Sequence, residues 1–186
     1  MKKILQSALV LGVLMVAGAG LLNAQGAGRA SFHVGGGVVL PQGDFNTGFK
    51  MGWQGMGGVA FGLSGIPIII RVDGAYGQNN CDGADCKVKL FSGLLGGQYN
   101  IGAAAAAVHP YVLAQVGMTN GKFTFPSNTA FNSSETKFTW AGGGGVNFGM
   151  GSMHVFVEAK YLAVQTSDGS TKMIPIIVGF QFGGGM

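Results

Sequence analysis

The stretch from His154 to Gln165 reads HVFVEAKYLAVQ. Val155, Val157, Ala159 and Tyr161 alternate with Phe156, Glu158 and Lys160. Successive side chains of a strand point to opposite faces, so one face here is greasy and the other carries two charges. The same period of two recurs along the chain, which no helical period reproduces over so many segments. Ile68, Ile70, Val72 and Tyr76 oppose Arg71, Asp73 and Ala75. Val112, Ala114, Val116 and Met118 oppose Tyr111, Leu113, Gln115 and Gly117. Ile174, Ile176, Val178, Phe180 and Phe182 oppose Pro175, Ile177, Gly179 and Gln181.

Working outward from these segments, the chain divides into eight strands. They are expected at Ala30–Leu40, Met51–Leu63, Ile68–Gln78, Lys87–Ile101, His109–Lys122, Lys137–Phe148, His154–Gln165 and Met173–Phe182. The connections Ser64–Pro67, Gly102–Val108 and Gly149–Met153 are short and uncharged. Pro41–Lys50, Asn79–Cys86, Phe123–Thr136 and Thr166–Lys172 are mostly longer and richer in charge, Asn, Ser and Gly. Alternating strands of about ten residues, with short turns at one end and long loops at the other, are the pattern of a transmembrane β-barrel. The expected fold is therefore all-β, an eight-stranded antiparallel up-and-down barrel. An even strand count places both termini on the periplasmic side.

The N-terminus carries Lys2 and Lys3, an apolar stretch from Ile4 to about Leu22, and small residues near Ala24. That is the form of a secretory signal peptide. Residues 1–24 are read as the leader and 25–186 as one barrel domain. A cut after Gly26, with Ala24 at −3, is the alternative. Charged residues make up only 10% of the 186-residue chain, and mean hydropathy is positive. The part after the leader still lacks the run of about 18 apolar residues that a spanning helix needs. A closed barrel is the other structure that satisfies its backbone in lipid. Without Lys2 and Lys3, 9 basic residues face 7 acidic ones, a balance of +2 too weak to argue for nucleic acid. The 36 glycines sit inside strands rather than linkers, where they mark bends or close approach.

Aromatic residues fall near both ends of the greasy faces. Trp53, Tyr76, Phe91, Phe138, Trp140 and Tyr161 lie toward the outer end, and Phe32, Phe61, Tyr99, Phe148 and Phe182 toward the periplasmic end. Val72, Val112, Val146 and Val157 lie between them. Two aromatic girdles around an aliphatic belt match a lipid interface. A soluble sandwich or lipocalin-like barrel would turn its aromatics inward instead.

The chain resembles the small eight-stranded outer-membrane β-barrel proteins, the opacity-protein-like, OmpX-like and OmpA-barrel-like group. The resemblance rests on GGGVVLPQGDF (Gly35–Phe45), HPYVLAQVGM (His109–Met118), AGGGGVNF (Ala141–Phe148), VFVEAKY (Val155–Tyr161) and GFQF (Gly179–Phe182). It covers the chain after the leader and implies a bacterial outer-membrane location and no shared catalytic residues. It also implies a terminal aromatic read by the barrel-insertion machinery. Phe182 would serve, although Gly183–Met186 follow it.

Four charges lie within strand bodies: Arg71 and Asp73 on strand 3, and Glu158 and Lys160 on strand 7. Strands 3 and 7 occupy opposite walls of an eight-stranded barrel, whose interior is just wide enough for side chains to fill. Buried charges persist when paired, so the four are expected to meet. The structural reading is an ion-pair plug. The functional reading is a gate on a narrow ion path, helped by inward Gly58, Ala60, Gly62, Ala75, Gly96, Ala141, Gly143 and Gly145, which would leave water-filled space.

Cys81 and Cys86, in CDGADC, are expected to form a disulfide, as exported chains favour. Two thiols with Asp82 and Asp85 but no nearby His make a poor zinc site. His33, His109 and His154 are scattered, so no metal or other cofactor is expected. Gly55–Ala60 (GMGGVA) fits a dinucleotide-binding glycine pattern by letter but lacks its strand–turn–helix context. Lys50, Lys87, Lys89, Lys122, Lys137 and Lys172 gather at the outer end. They would either contact phosphates of outer-membrane lipid and lipopolysaccharide or simply solvate the loops.

The expected role is structural or surface-interacting, with loops meeting an extracellular ligand. The alternative is a narrow porin-like channel. A lipid-modifying enzyme is not expected, because no Ser/His/Asp set assembles at the strand ends. A hydrophobic-ligand carrier is not expected either, because the lumen reads polar. Barrels close on themselves, so a monomer is the default.

Overall fold

Eight antiparallel strands close on themselves, each paired with its sequence neighbours and β1 with β8. The structure, a computed structural model, describes residues 30–62, 67–83, 86–101, 108–124, 133–150, 153–166 and 169–183. The expected leader lies outside these residues, as do Asp85, Asp168 and residues 184–186. The elements run β1 (Ala30–Gln42), α1 (Asp44–Gly48), β2 (Gly52–Gly62), β3 (Ile68–Asn80), β4 (Lys87–Asn100), β5 (Val108–Thr124), β6 (Ser133–Met150), β7 (Met153–Thr166) and β8 (Gly169–Gly183).

Closure is registered by Phe32 opposite Phe182 and Val38 opposite Ile176. It removes the unpaired edge that neither water nor lipid would tolerate. The alternation read from the sequence is the alternation of burial. In β7, Phe156, Glu158, Lys160, Leu162 and Val164 are buried, whereas Val157 and Ala159 are exposed. Val34, Leu95, Val112, Val116 and Val178 are each about half exposed on the outer surface. A belt of that extent would aggregate in water, and its solvent is a bilayer. The eleven girdle aromatics all point outward. Trp53 meets Tyr76 at 5.8 Å between ring centroids, and Trp140 meets Tyr161 at 5.6 Å.

Two expectations about loops are corrected. The segment Phe123–Thr136 was expected to be a loop, yet Phe123 and Thr124 end β5 and Ser133–Thr136 begin β6, paired Phe123 to Ser133. Thr166–Lys172 was also expected to be a loop, but Thr166 pairs with Gly169 and the ladder continues through Lys172 opposite Ala163. Polar composition suggested loops because both faces of a strand that rises above lipid are wet. Pro41–Lys50 behaves differently. It contains α1, whose Phe45 is buried in the mouth of the barrel.

Candidate functional site

β3 and β7 face each other across the lumen and bring their four charges into one ring. Arg71 donates from Nη1 to Glu158 Oε2 at 2.6 Å and from Nη2 to Asp73 Oδ2 at 3.0 Å. Lys160 Nζ lies 3.3 Å from Asp73 Oδ2 and 3.1 Å from Glu158 Oε1. Each cation therefore touches both carboxylates, and the formal charges cancel. The Lys160–Glu158 contact is an ion pair without hydrogen-bond alignment, since Glu158 Oε1 has no hydrogen-bond partner. All four residues are at most 4% exposed.

Side chains from three other strands fix the ring. His33 of β1 places Nε2 2.7 Å from Asp73 Oδ1 and 3.3 Å from Arg71 Nη2. The shorter contact calls for a proton on Nε2 that is donated to the carboxylate. Gln115 of β5 donates to Asp73 Oδ2 at 2.9 Å and accepts from Lys160 at 3.3 Å. Tyr111, also of β5, donates to Glu158 Oε2 at 2.8 Å. Gln98 of β4 accepts from Arg71 at 3.0 Å. Sequence reading missed these four. His33 was treated as one of three scattered histidines, and the others carry no charge to draw notice. The usable signal was parity, since all four occupy inward positions of their strands.

Two of the inward glycines make room for this network. A Cβ on Gly58 would stand 2.6 Å from His33 Nε2 and 2.8 Å from Asp73 Oδ1. One on Gly145 would stand 2.6 Å from the Tyr111 ring. Toward the periplasmic end, His33, Arg71, Gln98, Tyr111 and Gln181 line a cavity of only about 10 Å³. That is at most the room one water needs.

The outer half of the lumen mixes an apolar cluster with a buried hydroxyl trio, Ser92, Thr119 and Thr139, hydrogen-bonded at 2.8 Å, so the expected polar interior holds only in part. Val39, Val88, Leu94, Ala141, Leu162, Val164 and Met173 pack into one buried cluster under Phe45. The parity that brings Glu158 and Lys160 inward continues to Leu162 and Val164, so this layer was legible in the quoted stretch. Above it opens a vestibule of about 330 Å³, with Phe49, Leu90 and Phe123 in its walls and Asp44, Glu135 and Lys137 at its rim. Phe49 stacks on Phe45 at 4.5 Å and approaches Phe123 at 6.1 Å.

The six outer lysines separate into different settings. Lys137 belongs to the inward set of β6, lines the vestibule and pairs with Glu135 at 2.6 Å. Its parity turns it away from the lipid contact proposed for it. Lys50 lies 3.3 Å from Asp82 beside the second loop. Lys87, Lys89, Lys122 and Lys172 occupy outward positions of β4, β5 and β8. Cys81 and Cys86 are joined as a disulfide, and the Cys81 amide also donates to the Cys86 carbonyl at 3.0 Å.

A closed eight-stranded barrel with a lipid-facing apolar belt, two aromatic girdles and a filled lumen is an integral outer-membrane protein of the small-barrel class. Residues 9–182 match the outer membrane protein beta-barrel domain family, and the chain belongs to it. Its location is therefore the bacterial outer membrane. Among solved structures it is similar to Neisserial surface protein A, with a TM-score of 0.68 at 13% identity over 85% of this chain and 99% of that one. The N-terminal barrel of Pseudomonas aeruginosa OprF gives 0.52 at 17% identity, over 84% of this chain and 100% of that one. Ail, the attachment invasion locus protein of Yersinia pestis, gives 0.50 at 19% identity, over 83% and 99%. At these identities the likeness is one of fold. No curated protein sequence matches significantly.

Proposed function

We propose that the chain is a closed, non-enzymatic structural barrel whose lumen does not conduct and whose loop end contacts partners outside the cell. The observation that carries this reading is the double seal. A charge-balanced ring spans the lumen between opposite walls, and an apolar layer covers it on the loop side. An ion would have to break the ring and then pass the apolar cluster. The surface role draws on the aromatic vestibule at the loop end. It also draws on the printed names of two structural neighbours, one a surface protein and one an attachment protein. Closure favours a monomer, inserted by the barrel-insertion machinery through Phe182 of β8. The channel reading would need continuous polar space, and the 10 Å³ cavity below the ring does not supply it.

Planar-bilayer recording of the refolded protein tests the closed lumen. A silent membrane, with insertion verified by protease protection, is the expected result. Steady discrete openings that change in Glu158→Ala would replace the seal by a gate. For the surface role, replacing residues 125–132 should abolish adhesion to host-cell or matrix surfaces while the barrel still folds. Unchanged adhesion would remove the loops from that role.

A further inference from the structure

We propose that the lipid-facing side of β4 and β5, just beyond the outer aromatic girdle, is a binding site for the phosphate groups of the outer leaflet's anionic glycolipid. Lys87 and Lys89 share the outward parity of Phe91 and Leu95 on β4. Lys122 shares that of Val116 and Met118 on β5. The register places Lys89 directly opposite Lys122, with Phe91 opposite Asn120 one step below and Lys87 opposite Thr124 one step above. Phe91, Phe138 and Trp140 are exposed immediately beneath. The three ammonium groups therefore sit at the level of lipid headgroups rather than in the hydrocarbon or in the loops.

Charge on this end of the barrel is sorted by face. Among the described acids at this end, Asp44 and Glu135 line the vestibule and Asp82 pairs with Lys50. The outward neighbours of the lysines on β3, β5 and β6 are Gln78, Asn80, Asn120, Thr124, Ser134 and Thr136, all polar and uncharged. Among the described residues, no ion pair involves Lys87, Lys89 or Lys122. Like charges directly across a strand pair repel, so Lys89 facing Lys122 destabilises the sheet unless an anion lies between them. A phosphate ester carried on acyl chains brings that anion to the right depth, while its chains cover the belt below. Amide and hydroxyl neighbours add hydrogen bonds that a bare electrostatic patch would not offer. Among the described strand residues, the other side of the barrel has a single outward lysine at this end, Lys172. The site is thus a sector rather than a ring, and it would hold glycolipid against one side of the barrel.

The test uses the full barrel refolded in nanodiscs of zwitterionic phosphatidylcholine and titrated with purified lipopolysaccharide. Binding is read against lipopolysaccharide stripped of its lipid A phosphates and against phosphatidylglycerol. With each surface lysine contributing about fivefold, the Lys87→Ala/Lys89→Ala/Lys122→Ala variant should bind phosphorylated lipopolysaccharide roughly a hundredfold more weakly. Lys172→Ala should lose no more than about fivefold. The triple arginine variant should keep binding, and the compact, heat-modifiable gel band would show that each variant is folded. Equal binding of the stripped lipid, or an unchanged affinity in the triple alanine variant, would overturn the proposal. So would phosphatidylglycerol binding as tightly as lipopolysaccharide, since it would reduce the patch to general attraction for an anionic surface.

Discussion

Lys160 and Lys89 are the same side chain on the two faces of one barrel wall system, and they are held in opposite ways. Lys160 points inward, is 3% exposed and touches two carboxylates and a glutamine. Lys89 points outward, and the residue directly across the ladder from it is another lysine. Inside, the packing leaves almost no room for water, so a cation must bring its anions within the protein. At the outer rim the protein leaves the anion to the surroundings. Charge in this molecule follows its solvent. In the interior each cation of the ring touches two carboxylates, whereas the described lysines of β4 and β5 on the lipid-facing rim meet no described anion.

The largest expected effect comes from breaking the interior. In Glu158→Ala, Arg71 and Lys160 share the single carboxylate of Asp73. Removing one partner of a buried ion pair costs about 3–5 kcal/mol. Urea unfolding of the barrel in detergent micelles should show a loss of that size. A loss below about 1 kcal/mol, the range of an exposed pair, would mean that water already enters the ring.

Next comes the apolar layer. Leu162 is buried against its neighbours one inward step beyond Lys160. Leu162→Ala should cost about 2–3 kcal/mol, the low end for such truncations, because the vestibule above gives Phe45 and Met173 room to settle. Bilayer recordings of this variant should stay silent, because the ring still spans the lumen. Openings in Leu162→Ala but not in Glu158→Ala would make the apolar layer the seal and the ring mere filling.

A smaller effect tests the fit between wall and ring. Gly58→Ala adds one methyl against His33 Nε2, Asp73 Oδ1 and the Val72 carbonyl. Overpacking of this kind costs about 1–3 kcal/mol. Gly55→Ala, whose Cβ would meet only the Gly35 carbonyl at 4.0 Å, is the control and should be close to neutral.

The quoted stretch carried much of this in advance. Val157 and Tyr161 opposite Glu158 and Lys160 determine the faces of β7, and the same alternation elsewhere determines closure. It was readable because lipid outside and a narrow lumen inside impose different chemistry on odd and even positions. Where that contrast ends, legibility ends. Ser133–Thr136 lies beyond the hydrocarbon with polar surroundings on both faces, and its letters do not separate strand from loop. His33, Gln98, Tyr111 and Gln115 were missed for another reason. Which polar groups satisfy a buried charge depends on strand stagger, and one strand's sequence does not contain its neighbour's register. The vestibule was missed because α1 folds Phe45 back into the mouth, a tertiary placement with no periodic trace.

The smallest effect has the most informative sign. Lys89→Ala, measured in uncharged detergent without lipopolysaccharide, removes a cation facing Lys122 and no described partner. Relief of a directly opposed like pair stabilises by about 0.2–1 kcal/mol. Lys160→Ala, under the same conditions, leaves Asp73 and Glu158 sharing Arg71 and should destabilise by several kcal/mol. Adding lipopolysaccharide should reverse the sign at Lys89 and leave Lys160 unchanged, because only the rim residue shares its field with the lipid. If both lysines destabilise alike when removed, with or without lipid, the rim is satisfied within the protein and the contrast between the two faces disappears.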